Sequence, residues 1–403
     1  MKYDLKKRIL KQLVLLFVVV LLSCGNRPSA QIQEKIVVGA NQLNLYLPLL
    51  KEKNVGIVAN QTSVIFTNNS SEAHTHLVDS LLSLGVSIKK VFAPEHGYRG
   101  KADAGEYVKD GVDIKTGLPI VSLYGSNRKP DPEALKDLDV VIFDVQDVGV
   151  RFYTFTSTLH YVMETCAALN IPVLVLDRPN PNSHYIDGPI LELEHKSFVG
   201  MHPVPVTHGM TIGEYARMIN GEGWLKAGVK CSLRIIPVDN YHHKKNYNLP
   251  IKPSPNLPNG KAINLYPSLC FFEGTNVSSG RGTETQFQVF GSPFLNPEKF
   301  SYHFTPKPNK GAKNPKHKAI KCYGRDLRSS EVLDSINLTW LIDAYKYSSE
   351  KEEFFNPFFT KLAGQTKLQA QIKNGLDVAE IRKSWQKGLE KFKKIRANYL
   401  LYP

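Results

Sequence analysis

Val91-Phe-Ala-Pro-Glu-His-Gly-Tyr-Arg-Gly100 joins an apolar run to an acid, a histidine, an arginine and two glycines. A buried strand that ends in an active-site loop has this pattern, because a parallel sheet covered on both faces needs nearly continuous apolar strands. Ligands of such sheets bind beyond the carboxyl ends of the strands. The stretch therefore predicts an α/β fold with Glu95 and His96 at the working edge of its sheet.

Apolar segments of strand length recur along the chain and alternate with helix-like segments. Branched residues fill the apolar segments, which predict strands at 54–60, 88–94, 118–124, 140–146, 171–177 and 233–238. The segments between them predict helices at 71–84, 131–138, 156–169 and 211–220. This alternation predicts an α/β fold with a Rossmann-like parallel sheet. Neither Gly-x-Gly-x-x-Gly nor a Walker sequence occurs, so we expect no nucleotide cofactor.

The residue composition of the chain changes after residue 225. Residues 35–225 carry the alternating segments, whereas loops rich in Pro, Asn and Gly take over from residue 226. We therefore expect a Rossmann-like domain at 35–225 and a smaller α+β domain, rich in β-structure, at 226–403. A terminal helix is predicted at its end, because four apolar residues lie near one helical face: Ile381, Trp385, Leu389 and Phe392.

Residues 1–24 have the pattern of a bacterial export signal. A basic start precedes an apolar run at 13–22, and Cys24 follows directly after Ser23. The run is short for a bilayer span, and a cysteine in this place resembles the lipobox of bacterial lipoproteins. We expect Cys24 to become a lipidated first residue before a short tether at 25–34, in an exported, periplasmic protein anchored by this lipid. An uncleaved membrane anchor is the alternative.

The chain is basic, with a formal net charge of +14. Nucleic acid is the first partner that this charge suggests. The lysines are scattered, however, and neither a recognition helix nor a ribonucleoprotein motif nor zinc spacing accompanies them, so we expect no nucleic-acid partner. The densest basic stretch, 307–325, contains several prolines and a glycine and predicts a solvated loop.

Polar side chains at the ends of the predicted strands are the first candidates for a site. The carboxyl ends of parallel strands meet at one edge of a sheet, so residues there converge. Arg151 and Tyr153 follow one strand closely, and the aromatic rings and hydroxyls of 152–156 suit a sugar. His208 precedes a predicted helix. The strand-end candidates for substrate contacts are Asn60, His96 beside Glu95, Tyr124, Asp144, Gln146, Asp147, Asp177 and Arg178.

Structural roles are open for the same residues. An ion pair between Arg151 and an aspartate would fix a loop, and the turn Asp177-Arg-Pro-Asn-Pro-Asn182 accounts for its acid and its arginine without a ligand. A divalent metal ion is another alternative, since Asp144, Asp147 and His208 offer oxygen and imidazole ligands. Neither His-x-His nor His-Glu-x-x-His spacing supports that metal site.

Hydrolysis of a glycosidic bond needs one protonated acid and a second group that stabilises or attacks the sugar carbon. Glu95 ranks first as proton donor because it follows an apolar strand, where partial desolvation would favour the neutral acid. Glu273, after Cys270-Phe-Phe272, ranks second for the same reason. The absence of Gly-x-Ser-x-Gly disfavours a serine hydrolase. The candidate acids are Glu95, Asp147, Glu273 and Glu284.

Seven groups of motifs together resemble one family, the exo-β-N-acetylmuramidases of bacterial cell-wall recycling. The resemblance implies a Rossmann-like catalytic domain, a smaller domain that closes a cleft, and release of N-acetylmuramic acid from the non-reducing ends of peptidoglycan fragments. The motifs cover nearly the whole chain in family order. They are Pro94-Glu-His-Gly97, Ser122-Leu-Tyr-Gly125, Phe143-Asp-Val-Gln-Asp-Val-Gly149, Arg151-Phe-Tyr-Thr154, Leu176-Asp-Arg-Pro-Asn-Pro181, Pro253-Ser-Pro-Asn256, and Glu273-Gly-Thr-Asn276 with Gly280-Arg-Gly-Thr283.

The resemblance also implies roles for individual residues. Glu95 matches the catalytic glutamate of the family. We expect Glu273 or an aspartate such as Asp147 to be its partner. Arg281 and Glu284 would reach the cleft from the second domain, where Asn276 is a further candidate for substrate binding. The chain departs from the family pattern at Gln286, where a proline is usual before the phenylalanine.

The expected substrate carries a lactyl carboxylate, which a bidentate arginine would bind well. Arg151, Arg178 and Arg281 are the candidates for that role. Retention assisted by the 2-acetamido group and inversion by direct attack of water both remain open. A wall-binding lipoprotein without turnover is the competing class of function.

Overall fold

The structure, a computed structural model, describes Tyr3, Asp4, Lys7 and residues 34–67, 73–99 and 110–403. Cys24 and all but the last residue of the expected tether at 25–34 lie outside these residues, as does most of the expected signal. Within the described part of the chain, no helix combines the length and the apolar character needed to cross a membrane.

A seven-stranded sheet organises the amino-terminal half. Its spatial order is β5-β6-β4-β1-β7-β8-β9, and all neighbours are parallel except β5 and β6. In chain order the six parallel strands are arranged 3-2-1-4-5-6, the doubly wound order, so the predicted Rossmann-like α/β fold is confirmed. The strands are β1 Val55–Ala59, β4 Ile88–Ala93, β5 Gly111–Val112, β6 Pro119–Ser122, β7 Val140–Asp144, β8 Val173–Leu176 and β9 Leu233–Ile236.

Both faces of this sheet are covered, which explains its apolar strands. Every residue of β1, β7 and β8 is buried. Side chains alternate between the two faces of a strand, so neighbouring residues enter different cores. Ile57 and Ile142 pack in one core, whereas Val58 and Phe143 pack in the other. A continuous apolar strand is therefore what two covered faces require.

Helices supply the two covers and link the strands. One predicted helix was partly wrong: within 71–84 the helix begins only at Leu77, and His74–His76 is strand β3, antiparallel to β2 Val64–Phe66. The His76 side chain accepts the backbone N–H of Val78 and so caps this helix. The amino-terminal helices are Leu43–Tyr46, Leu77–Ser83, Pro132–Leu135, Phe155–Ala168 and Ile212–Gly221, with 3₁₀ turns at Gly39–Asn41, Leu47–Leu50, Leu193–His195 and Lys226–Gly228.

The carboxyl-terminal part combines an antiparallel sheet with helices, as an α+β region should. The sheet order is β10-β12-β11, formed by Val289–Ser292, Cys322–Asp326 and Tyr302–Phe304. The helices are Gly260–Leu269, Thr339–Lys346, Phe358–Ala363, Lys367–Lys373, Val378–Lys383 and Gln386–Arg396, with a 3₁₀ segment at Cys270–Gly274.

The last helical segment differs from the one expected. The expected terminal helix is two helices, interrupted at Ser384 and Trp385, although all four of its predicted apolar residues are buried. β9 pairs with β8, so the large sheet includes a strand that lies beyond residue 225 in the chain. Residues 37–403 form one compact unit that contains this position.

Candidate active site

A cavity of about 380 Å³ lies at the carboxyl edge of β4 and β6. Among the lining residues that the structure describes, seven side chains are aromatic and two are glutamates. Six of the predicted site residues line it: Glu95, His96, Tyr124, Tyr153, Glu273 and Arg281. Its other lining residues are Arg128, Phe152, Thr154, Ser197, Phe198, Val199, Ser254, Asn256, Leu257, Tyr266, Cys270, Phe287, Phe358, Lys361 and Leu362.

Strand register places Glu95 beside Tyr124. Ala93 of β4 pairs with Ser122 of β6, and each cavity residue lies two positions further along its strand's chain. A tight turn follows β4, in which the Gly97 N–H donates to the Pro94 carbonyl over 2.9 Å. His96 has a φ of 71°, a left-handed conformation that is uncommon for a residue with a side chain. Such backbone strain clusters at functional sites.

The Glu95 carboxyl group is held by a neighbouring hydroxyl. Thr154 Oγ1 donates to Glu95 Oε2 over 2.6 Å. Thr154 immediately precedes the helix Phe155–Ala168, so the following helix fixes its position. Burial and the nearby carboxylates raise the pKa of the Tyr153 phenol well above its usual value, so it stays protonated. Its hydroxyl donates to the Pro253 carbonyl over 2.9 Å.

Glu273 faces the same cavity and is held by a hydroxyl group and a guanidinium group. Ser279 Oγ donates to one carboxylate oxygen over 2.6 Å, and Arg281 Nη1 donates to the other over 3.3 Å. Burial by itself raises the pKa of Glu273, but Arg281, Lys316 and the Ser279 hydroxyl together hold it below its usual value. Glu273 is therefore ionised at neutral pH.

Lys316 is a part of this site that the sequence did not reveal. It lies in the basic stretch 307–325, for which we predicted a solvated loop, but its ammonium group points inward. It donates to the carbonyls of Phe272 over 2.9 Å and Val277 over 3.0 Å, and also to that of Thr275. These bonds hold the segment before and after Glu273 around one positive charge.

Arg151, a predicted substrate ligand, instead lies sealed inside the protein. It is 1% exposed, and burial lowers the pKa of its guanidinium to about 9. Nη1 donates to the carbonyls of Pro189 and Val204, both over 2.7 Å. Nη2 donates to those of Leu362 and Ala363, over 2.9 and 2.8 Å. Arg151 thus ties the loop after β7 to the helix Phe358–Ala363.

The predicted site residues at the ends of β1, β7 and β8 also bond within the protein and do not line the cavity. Arg178 makes a bidentate ion pair with Asp144, with distances of 2.6 and 2.9 Å, and both side chains are buried. Asn60 Oδ1 accepts the backbone N–H of Thr62 over 2.8 Å. Gln146 Nε2 donates to the Pro179 carbonyl over 2.7 Å. These predicted ligands stabilise the turns at the edge of the sheet.

Three further predicted site residues are buried away from the cavity. Burial raises the pKa of Asp147 to about 7, and its Oδ2 accepts the Gly149 N–H over 2.6 Å. Asp177 accepts the Gly213 N–H at the start of a helix, and burial raises its pKa to about 6. Burial lowers the pKa of His208 to about 3, so its ring is neutral.

The groups considered for a metal ion do not come together. Both oxygens of Asp144 accept hydrogen bonds from Arg178, and neither Asp147 nor His208 shares a cluster with it. Among the described residues, the one group with metal-like spacing consists of Glu192, Glu194 and His195, none of which lines the cavity.

Comparison with known proteins decides the family. Residues 55–261 match the model for the amino-terminal region of the exo-β-N-acetylmuramidase NamZ, and residues 264–402 match that for its carboxyl-terminal region. The chain belongs to the NamZ family. The resemblance seen in the motifs is thereby confirmed.

Individual NamZ-family relatives and solved structures are similar over nearly their full length. The peptidoglycan β-N-acetylmuramidase NamZ of Bacillus subtilis (strain 168) is 38% identical, covering 89% of each chain. Two crystal structures of DUF1343 family proteins from Bacteroides fragilis NCTC 9343 superpose with TM-scores of 0.83 and 0.79, at 44% and 28% identity. They cover 92% and 91% of this chain, and 99% of each of theirs.

Several cavity residues of this NamZ-family chain were not among the predicted site residues. Thr154, Ser254 and Asn256 lie inside motifs that carried the resemblance, so the motifs could have revealed them. Arg128 and Lys361 lie in segments without any motif, so no sequence pattern indicated that they line the cavity. Asn276 and Glu284, both predicted ligands, do not line the cavity, and Glu284 is exposed to solvent.

Proposed function

We propose that the protein is an exo-acting glycoside hydrolase that releases N-acetylmuramic acid from the non-reducing ends of peptidoglycan fragments during cell-wall turnover. One observation supports this most strongly: two glutamates line one cavity, and one of them is held as an anion. Glu95 is hydrogen-bonded by Thr154, whereas Glu273 is held as an anion by Arg281 and Lys316. Family membership and the name of the Bacillus subtilis relative support the same activity.

The two glutamates have different tasks in the proposed reaction. Glu95 donates a proton to the leaving oxygen of the glycosidic bond, which lowers the barrier to its departure. Glu273, as a carboxylate, stabilises the positive charge that develops on the sugar carbon or activates the attacking water. Retention with the help of the 2-acetamido group and inversion by direct attack are both compatible with this pair.

The remaining lining suits a sugar. Aromatic faces such as those of Tyr124, Phe152 and Phe287 bury the apolar side of a pyranose ring, and polar groups such as Asn256 can bond its hydroxyls. The cavity volume of about 380 Å³ lies in the ordinary range for small-molecule sites. A pocket of this size is suited to one terminal sugar, as exo action requires.

A turnover assay tests this function. The purified protein is incubated with a chromogenic N-acetylmuramic acid glycoside, with and without a chelator, and the released sugar is identified by mass spectrometry. We expect release in both conditions. Loss of release with chelator would favour the metal-dependent alternative. Binding of wall fragments without any release would favour the non-catalytic wall-binding protein and contradict the proposal.

We also propose that the protein is exported to the periplasm and anchored by a lipid at Cys24. The basic start, the apolar run and the cysteine directly after it support this. We expect the wild-type protein in the membrane fraction and metabolically labelled with palmitate. Cys24→Ala should lose the label and leave that fraction; a variant that stays membrane-bound would favour an uncleaved anchor.

A further inference from the structure

Two cationic side chains line the cavity without an acidic partner among the described residues: Arg128 and Lys361. The third lysine or arginine of the lining, Arg281, donates to Glu273. The described lining residues therefore include three cations and two carboxylates, and such an excess of positive charge favours an anionic ligand. The proposed substrate carries one such group beyond its sugar ring.

Arg128 is connected to the proposed catalytic residues through aromatic contacts. Tyr124, beside Glu95 at the sheet edge, has its ring 6.0 Å from that of Phe198. The Arg128 guanidinium carbon lies 4.7 Å from the centre of the Phe198 ring. Stacking on a ring orients a guanidinium group and leaves the N–H groups at its edge able to bind a carboxylate bidentately. Arg128 is exposed, so ligands can reach it.

Lys361 enters the cavity from another part of the chain. It lies in the helix Phe358–Ala363, whose Phe358 and Leu362 also line the cavity. Arg151 holds the last turn of this helix through the carbonyls of Leu362 and Ala363. The buried arginine therefore fixes the position of Lys361, although it does not reach the cavity itself.

We propose that Arg128 and Lys361 bind the lactyl carboxylate that distinguishes N-acetylmuramic acid from N-acetylglucosamine, and so set the specificity of the enzyme. This inference rests on the proposed function. Arg151 and Arg178, which the sequence had suggested for this task, are sealed inside the protein and make other bonds. A sugar without the carboxylate would leave both cations unsatisfied.

The test compares two chromogenic glycosides with the same leaving group, one of N-acetylmuramic acid and one of N-acetylglucosamine. Arg128→Gln and Lys361→Met should each raise KM for the muramic acid glycoside roughly 10- to 100-fold, because a charge-assisted hydrogen bond is lost. Its kcat should change little. Turnover of the glucosamine glycoside should stay at the wild-type rate, since that sugar has no carboxylate.

Conservative and matched variants complete the design. Arg128→Lys keeps the charge but not the bidentate geometry and should give an intermediate KM. Lys367→Met removes one exposed charge at the start of the next helix, outside the cavity, and should match the wild type. Equal losses on both glycosides, or an unchanged KM for the muramic acid glycoside, would overturn the proposal.

Calorimetric binding of the two free sugars separates this proposal from the proposed function. If the wild type hydrolyses neither glycoside, and Arg128→Gln still weakens the binding of N-acetylmuramic acid, the carboxylate recognition stands and the proposed function fails. If the variants hydrolyse the muramic acid glycoside as well as the wild type does, the function stands and the recognition fails.

Discussion

The ends of β4 and β7 look alike in sequence but differ in the folded protein. Each is an apolar strand with an acid at or within two residues of its end. Glu95 after β4 faces the cavity, whereas Asp144 and Asp147 at β7 are buried and bonded inside the protein. An acid at a strand end therefore marks the edge of the sheet, and its surroundings decide whether it contacts a ligand.

Backbone geometry explains much of this difference. The left-handed turn at His96 and Gly97 ends β4 abruptly and leaves Glu95 at the surface of the cavity. After β7 the chain instead packs tightly against the turn at 177–182. A Cβ on Gly149, whose φ is 75°, would lie 2.1 Å from the Asn180 side chain, so this approach requires glycine. Such close packing leaves no room for a ligand.

The largest expected effect is a difference in activity between variants at the ends of β4 and β7. Glu95→Gln should lower kcat by roughly 10²- to 10⁴-fold, the contribution of a general acid, with little change in the melting temperature. Asp147→Asn, the matched amide variant at the other strand end, should keep most of the activity. Steady-state kinetics and thermal unfolding check both variants. Full turnover by Glu95→Gln would remove it from the mechanism.

Asp144→Ala should act on stability. It leaves the Arg178 guanidinium buried without its carboxylate, which typically costs about 3–5 kcal/mol. Chemical denaturation of the wild type and the variant measures the free energy of unfolding. Removing both partners together should cost less than removing Asp144 alone. A loss below about 1 kcal/mol would show that the pair is not sealed as described.

Asp147 should make stability depend on pH. Its pKa rises from 3.8 to about 7 on folding, so the folded protein keeps a proton that the unfolded chain has released between these values. Stability should therefore fall as pH rises across this window, by at most roughly 4 kcal/mol from this residue. Denaturation at pH 4.5 and 7.5 should show a smaller decline for Asp147→Asn. Part of the decline should remain in this variant, because Asp177 has a pKa of about 6 in the folded protein. An identical decline in the variant would contradict the assignment.

Thr154→Val should give the smallest effect. It removes the hydroxyl that donates to Glu95 while keeping the shape of the side chain, at a cost of about 1 kcal/mol, or roughly fivefold in kcat. Thr154→Ser retains the hydroxyl and is the control. Equal kcat values for Thr154→Val and Thr154→Ser would show that this hydrogen bond does not assist Glu95.

The sequence predicted the sheet well because its central strands are buried on both faces. Continuous apolar runs located all six parallel strands, and the residue types at their ends located the edge of the sheet. The order of the strands depends on long-range packing that periodicity does not record. The hairpin at His74–His76 was missed because its pairing with Val64–Phe66 is also a tertiary contact.

The lining of the cavity was predictable only where a motif reported it. Glu95, Tyr124, Tyr153 and Glu273 follow apolar segments or lie in family motifs, and each lines the cavity. The burial of Arg151 could not be foreseen, since its four partners are backbone carbonyls from distant segments. The inward position of Lys316 could not be foreseen for a similar reason. Its partners are backbone carbonyls, and it lies in a stretch whose composition predicted a solvated loop.

The four bonds of Arg151 have an evolutionary consequence. Main-chain oxygens are present whatever the side chain, so these bonds tolerate replacement of the residues that accept them. The helix Phe358–Ala363 can thus stay in place while the side chain at position 361 changes. A descendant of this protein could acquire a preference for a different sugar substituent through that one position, with the wall of its cavity already built.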